Sequence, residues 1–394
     1  MNEAGSLGAH LYSRRTAAGE AQLEANHRTI FYLADWLPPD FGAVGQYAVL
    51  FCREMAMSGR QVRLIGLRSS NANDTKERFD RGELRITSLW SRSFRKQSSI
   101  GRLKWALRAN VRLVWEVARD KNSRGADLHF TGSPPFMLFF AFLLKVFRQV
   151  RLVYRITDFY PEVLFAAWGR RPAWLAPLSA FTWFLRRRVD EFEVLGEDQR
   201  TLLIDGGVLP ERISLRRDVS PIAISGNEQP AERPRALNGK KILLYSGNYG
   251  VAHEIETVAR GLIWHHRHGG GQFGLWLNAS GSAITPLTKR LLEAGVPFAV
   301  SDPVPLEQLP SVLAAADAHL VALRAGFAGY VLPSKIYACL NSGKPILYVG
   351  PSSSDVHLLC TRQQPKKYEH VVAGDEEGFS RALNKIASAD PSYA

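Results

Sequence analysis

The chain has 394 residues, 46% hydrophobic and 22% charged, enough for two domains with sizeable cores. That balance excludes a disordered tail, a collagen-like fibre and a small disulfide-stapled scaffold. Fifty Lys and Arg against 37 Asp and Glu give a net charge of +13, which calls for an anionic partner: nucleic acid, an anionic membrane surface or a phosphorylated substrate. Cys52, Cys339 and Cys360 lie far apart, with no CxxC pair and no zinc spacing, as suits a reducing cytosol.

Residues 1–26 are small, polar and of mixed charge, and read as a tail without the apolar core of a signal peptide. The most apolar run, 136–144, ends at Lys145 and falls short of the roughly 20 residues a membrane span needs. A cytoplasmic protein is expected. The first half, 27–220, opens with a strand at 29–34, a loop Pro38-Pro39-Asp40-Phe41-Gly42-Ala43-Val44-Gly45, a helix at 46–58 capped by Gly59, and a strand at 61–66. This is a βαβ unit. Strands at 127–131 and 152–156 follow, with helices at 136–147 and 174–188, and 191–195 reads as the last strand of this half.

Residues 221–239, with Pro221, Pro230, Pro234, Gly226 and Gly239 among polar residues, read as a linker. The pattern restarts in 240–372. Strand 241–245, a turn with Gly247 and Gly250, and a helix from 254 are followed by strand 274–278, helix 285–294 and strand 298–301. Helix 306–315, strand 318–323, helix 334–342 and strand 345–349 complete it. A helix and tail occupy 373–394. The expected fold is α/β: two Rossmann-like, doubly wound domains facing across a cleft, with ligands at the carboxyl ends of the strands.

Gly343-Lys344 is followed by Pro345, so there is no Walker A sequence, and no GxGxxG follows either opening strand. No Asp-x-Asp pair is present to chelate a metal on a nucleotide diphosphate. His268-Gly269-Gly270-Gly271 imitates an esterase oxyanion loop but has no companion G-x-S-x-G; with His265 and His266 it also imitates a metal cluster, though an exposed turn is the plainer account.

Two strings in the second half carry the chemistry. Ser246-Gly247-Asn248-Tyr249-Gly250-Val251-Ala252-His253 joins a strand to a helix; its glycines allow close backbone approach, and Asn248 and His253 can donate to a diphosphate. Arg324-Ala325-Gly326-Phe327-Ala328-Gly329-Tyr330-Val331-Leu332-Pro333-Ser334-Lys335 enters a second helix. For Ser334 alone a helix cap explains the residue; for the whole string, with one Arg and one Lys, anion binding does.

With these strings the chain resembles the glycosyltransferase family 4-like enzymes of the GT-B fold, in the bacterial branch that builds exopolysaccharide and lipopolysaccharide. The resemblance spans residues 28–360. It rests on the Pro38–Gly45 loop, Gly132-Ser133-Pro134-Pro135, Thr157-Asp158-Phe159-Tyr160-Pro161-Glu162, Tyr245-Ser246-Gly247-Asn248, Ala315-Ala316-Asp317, Pro333-Ser334-Lys335 and Ser342-Gly343-Lys344-Pro345. It implies retaining transfer of sugar from a nucleoside-diphosphate sugar to an acceptor hydroxyl, with no metal or other cofactor. The second domain would hold the nucleotide, and the first the acceptor, with Gly42 and Gly45 near the diphosphate. Charge on the leaving diphosphate would be met by Lys335, by N–H groups at Gly329 and Tyr330, and by Arg324, with Gly247, Asn248, His253 and Ser334 around it. The chain departs from the pattern in two places. Asn248 and His253 stand where many relatives have Arg and Lys, and Tyr330 and Ala338 where many have two glutamates, the second of which bonds the ribose. A methyl group accepts no hydroxyl, so ribose recognition must shift elsewhere or be lost.

Asp158 follows a first-domain strand and is read as a cleft carboxylate that orients or deprotonates the acceptor, ahead of a turn cap before Pro161. Glu162 is the second choice, and His129 reads as a core histidine. Between Arg92 and Arg124 ten Lys or Arg stand against Glu116 and Asp120. Ile100, Leu103, Leu107, Val111, Val114 and Ala118 would line one helical face, with Lys104, Arg108 and Arg112 as a basic stripe and Trp105 and Trp115 at the boundary. This pattern suits an anionic membrane surface bearing lipid-linked glycan acceptors, or a helix packed on its own sheet. Nucleic acid is not expected, since no reader motif accompanies the charge. The reading is a metal-independent glycosyltransferase, peripheral on the inner face of the plasma membrane, with Asp158 and Lys335 as its catalytic pair. A GT-B nucleotide-sugar epimerase and a degenerate non-catalytic partner subunit are the alternatives.

Overall fold

The computed structural model describes residues 28–40, 43–70, 73–92, 99–218, 220, 222–224 and 226–388. Gly42, the 1–26 tail and the side chain of Ile100 lie outside the described residues. Fourteen strands form two sheets, with twelve α-helices among the described residues.

The first sheet begins with β1 (Ile30–Trp36), β2 (Gln61–Arg68), β3 (Asp74–Arg78) and β4 (Glu83–Trp90), and continues with β5 (Asp127–Thr131), β6 (Arg151–Ile156), β7 (Glu191–Val194) and β8 (Ile213–Leu215). Their order is β3-β4-β2-β1-β5-β6-β7-β8. β4, β2, β1, β5 and β6 run parallel, and β3 pairs antiparallel at one edge. β1 is apolar save for Asp35 and buried on both faces, as befits a central parallel strand. Helix Ala43–Met57 packs on it through Ala48, Phe51 and Cys52. β8 follows the 191–195 strand expected to close this half.

The second sheet contains β9 (Lys241–Asn248), β10 (Phe273–Ser280), β11 (Phe298–Ser301), β12 (Ala318–Ala322), β13 (Ile346–Val349) and β14 (Tyr368–Val371), in the order β11-β10-β9-β12-β13-β14. All neighbouring strands in it pair in parallel. One face is closed by Leu243, Tyr245, Leu275, Val258, Leu262 and Phe379, the other by Ile242, Leu244, Trp276, Val312 and Leu313.

By contacts the chain divides into two compact units: residues up to Ile156 with Phe181–Glu193, and Thr157–Ala180 with Val194 onward. The second unit thus recruits two segments that precede 221–239. Val163, Ala166 and Ala167 of helix Glu162–Trp168 and Leu195 pack with Tyr337, Tyr348 and Val356. The guanidinium of Arg217 meets the fully buried Asp355 carboxylate at 2.9 and 3.1 Å. Segment 221–239 also packs: Ile222 and Leu237 are buried beside Ile242 and Leu244, and the Ala231 amide donates to the Ser311 carbonyl at 2.9 Å.

Candidate functional site

In the second sheet the chain winds from β9 through β10 to β11 in one direction and from β12 through β13 to β14 in the other. The carboxyl ends of β9 and β12 therefore flank the switch point of the winding, where open α/β sheets bind ligands. Two turns leave the sheet there and are stitched together. The Arg324 amide donates to the Ala252 carbonyl at 2.8 Å, and its Nη1 to the Val251 carbonyl at 3.2 Å. The exposed guanidinium also lies over Phe327.

Lys335 begins helix Lys335–Asn341 and reaches back across this junction. Its Nζ lies 3.3 Å from the centroid of the Tyr245 ring on β9. Its Cε lies 3.8 Å from where a Cβ on Gly247 would stand, and Gly247 has φ +114°, a conformation that favours glycine. The Nζ is shielded from solvent and has no hydrogen-bond partner. Burial lowers the Lys335 pKa from 10.5 to about 7. A cation over an aromatic face gains ~2 kcal/mol when desolvated, which does not replace the hydrogen bonds water would supply. The ammonium is thus a charge held in place with its donors unused.

His253 lies beside it. Its ring meets Tyr245 and Tyr249 edge-on, and its Nδ1 is 3.0 Å from the Gly250 amide. Burial, with the charge of Lys335 added, lowers its pKa to about 3. His253 is therefore neutral, with Nδ1 committed to its own turn and Nε2 left for a ligand. Asn248 is exposed, and its side chain lies across Gly281, whose missing Cβ gives it room.

The loop after β12 uses its amides internally. The Gly329 N–H goes to the carboxylate of Asp198, and the Tyr330 N–H to the Phe327 carbonyl at 3.0 Å. Neither is spare for a diphosphate. Ser334 is the residue before the helix; its backbone is already helical and its hydroxyl makes no capping bond. Asp158 is fixed by its backbone, pairing with Val331 in an isolated antiparallel bridge, while the next amide, Phe159, donates to the Tyr330 carbonyl at 3.1 Å. The structure thus brings Gly247, Asn248, His253, Arg324 and Lys335 to one junction, and pins Asp158 to the loop that leads to Lys335.

The remaining candidates have packing contacts. A Cβ on Gly45 would stand 1.8 Å from the Trp36 carbonyl oxygen, so glycine there lets the helix close onto β1. Ala338 is buried in the apolar cluster with Val312 and Leu313. Glu162 is buried at the start of its helix, and His129 stacks on Tyr32 in the core. Sequence reasoning missed the ring of Tyr245 as the seat of Lys335, and Asp198 as the residue that holds Gly329. Nothing in the spacing announces either contact. Among the described residues no group of His, Cys, Asp or Glu is placed to hold a metal ion, and no helix is long and apolar enough to cross a membrane.

No family model matches the chain. It is 24% identical over 264 residues to the probable glycosyltransferase WbjE of Pseudomonas aeruginosa, a match covering 62% of this chain and 63% of that relative. Among solved structures it resembles the sucrose-phosphate synthase of Thermosynechococcus elongatus, with a TM-score of 0.63 and 14% identity over 93% of this chain and 91% of that one. Anabaena Alr3699/HepE in complex with UDP and glucose gives 0.61 and 12% over 92% and 90%. The lipopolysaccharide outer core galactosyltransferase WaaB gives 0.54 and 13% over 91% and 90%. With its two parallel-dominated, doubly wound sheets, the chain has the GT-B fold of these glycosyltransferase structures.

Proposed function

We propose that the protein is a retaining, metal-independent glycosyltransferase of the family 4-like type. It moves a sugar from a nucleoside-diphosphate sugar to a lipid-linked or growing glycan in cell-surface polysaccharide synthesis, at the inner face of the plasma membrane. The observation that carries this reading is Lys335, a buried ammonium without a hydrogen-bond partner at the switch point of the second sheet. The likeness to a protein described with UDP and glucose, to a lipopolysaccharide outer core galactosyltransferase and to a probable glycosyltransferase supports it.

Cleavage of the glycosidic bond leaves negative charge on the departing diphosphate, and groups already oriented toward that charge lower the barrier. Lys335 supplies the charge, Gly247 lets the diphosphate approach the β9 backbone, and Asn248, the Nε2 of His253, Ser334 and Arg324 supply further donors. Because the Gly329 and Tyr330 amides are engaged, side-chain cations carry more of the load than in the sequence reading. Asp158 serves the acceptor hydroxyl as orienting group or base.

The test is a screen of UDP- and GDP-sugars for release of free nucleotide in the presence of membrane extract. One donor should turn over, and Lys335→Ala should lower its kcat/KM by about a hundredfold or more. Turnover unaffected by Lys335→Ala would overturn the diphosphate assignment. A folded protein that gives no calorimetric heat with UDP or GDP would instead be a non-catalytic partner subunit.

A further inference from the structure

The helix Ser99–Ala118 buries a face adjacent to the one its larger apolar residues mark. Ala106, Ala109, Asn110, Leu113 and Val117 point inward, and the Asn110 amide donates to the Pro135 carbonyl at 2.8 Å. Leu103, Leu107, Val111 and Trp115, spaced every fourth residue, stay in solvent; Val111 is 54% exposed and Trp115 64%. Trp105 instead stacks on Trp36. Of the stripe expected from the sequence, Leu103, Leu107 and Val111 are exposed, whereas Val114 and Ala118 are half-buried.

The crossovers β4 to β5 and β5 to β6 advance across the sheet in the same direction, so right-handed connection places their helices, Ser99–Ala118 and Met137–Arg148, on one face. The two helices touch, and Phe139 of the second lies against Phe181. This layer exposes more apolar surface, with Phe147 77% and Phe181 50% exposed. Scattered exposed leucines need no explanation, but a contiguous apolar face rimmed by one sign of charge does. On the outer flank of the stripe stand Lys104, Arg108 and Arg112, while Glu116 is paired with Arg119.

We propose that this helical layer of the first unit is a docking surface for an anionic lipid bilayer. Helix Ser99–Ala118 would lie in the interface with Leu107, Val111 and Trp115 among the acyl chains and Lys104 and Arg108 at the headgroups. A second copy of the chain would bring the same positive charge to the same patch, whereas a bilayer of opposite charge complements both features. The inference deepens the proposed membrane attachment by naming its surface, and does not depend on the transfer chemistry.

The experiment is flotation of the full chain with vesicles of phosphatidylglycerol and phosphatidylcholine, with pure phosphatidylcholine as comparison. Binding to the anionic vesicles is expected, with a blue shift of tryptophan fluorescence that Trp115→Phe diminishes. Val111→Glu should lower partitioning at least tenfold, and Lys104→Gln with Arg108→Gln about tenfold or more, each with an unchanged melting temperature and unchanged heat of donor binding. Equal partitioning of these variants and the native chain overturns the proposal. So does absence of binding to anionic vesicles, or a native dimer that Val111→Glu converts to monomer. If vesicles bind but no nucleotide does, the transferase reading fails while the surface stands.

Discussion

Lys335 should make donor binding depend on pH in a fixed direction. In the free protein its pKa is about 7, against an ordinary 10.5; beside a diphosphate the charged form is favoured again. Donor affinity should therefore be level below about pH 6 and fall toward tenfold per pH unit above 7, until the complex itself titrates. Full restoration in the complex would give a span of about three and a half decades, or about 5 kcal/mol at 1.36 kcal/mol per tenfold step. At pH 7 the free amine is half protonated, so binding should take up about half a proton per site. Calorimetry in buffers of differing ionisation enthalpy reads this directly, and a nucleotide sugar is the right probe because its doubly esterified phosphates keep one charge each over the range. Lys335→Arg, charged throughout, should flatten the profile, and Lys335→Met should abolish it. Stability of the free protein follows the opposite sign. The unfolded chain holds more protons than the folded one between pH 7 and 10.5, so unfolding free energy rises with pH across that window. The net penalty on the charged form, about 5 kcal/mol, is complete below 7 and gone above 10.5. Lys335→Met should thus stabilise the free protein by about 5 kcal/mol at pH 6 and leave it unchanged at pH 11. Donor affinity independent of pH between 6 and 9 in the native chain would refute the reasoning.

Three further outcomes follow from the same structure. Asp158→Asn should lower kcat by about two to four decades while leaving donor binding intact, because the Val331 bridge is made by the backbone; steady-state kinetics with saturating donor distinguishes this from a loss of fold. Asp355→Ala should cost about 3–5 kcal/mol, since it strands Arg217 and the Glu197 amide, both now bonded to that carboxylate; denaturant titration measures it. Gly45→Ala should destabilise the first unit by about 1–3 kcal/mol or more, because the new methyl collides with the Trp36 carbonyl. A lowered melting temperature would mark Gly45 as a packing glycine, and unchanged stability with lost donor affinity would restore it to the diphosphate site.

Much of the fold was legible because buried parallel strands are short apolar runs bounded by glycine or proline, as at Ile346–Val349 after Gly343 and Pro345. β3 escaped because an antiparallel edge strand with the sequence Asp-Thr-Lys-Glu-Arg has no apolar face to reveal it. Segment 221–239 has linker composition, yet composition does not report that Ile222 and Leu237 are buried against the second sheet. Nor can it report that Arg217 and the 157–168 segment belong with residues more than a hundred positions later.

The helix Ser99–Ala118 shows a different limit. Periodicity identifies apolar stripes, and this helix has two adjacent ones; the larger side chains mark one, while the small Ala106 and Ala109 permit the close approach that packing uses. The same distinction holds at the candidate site. The order of Gly247, Asn248 and Lys335 along the chain suggested an anion site, but their chemistry depends on a contact between β9 and a helix ninety residues downstream. That contact places an aromatic face under the ammonium where a hydrogen-bond acceptor could have stood. An acceptor there would have kept Lys335 fully charged and satisfied, and a diphosphate would have had to displace it. With a ring instead, the cation is positioned by a partner that does not compete for its N–H donors, so the fold holds the charge ready for an incoming anion.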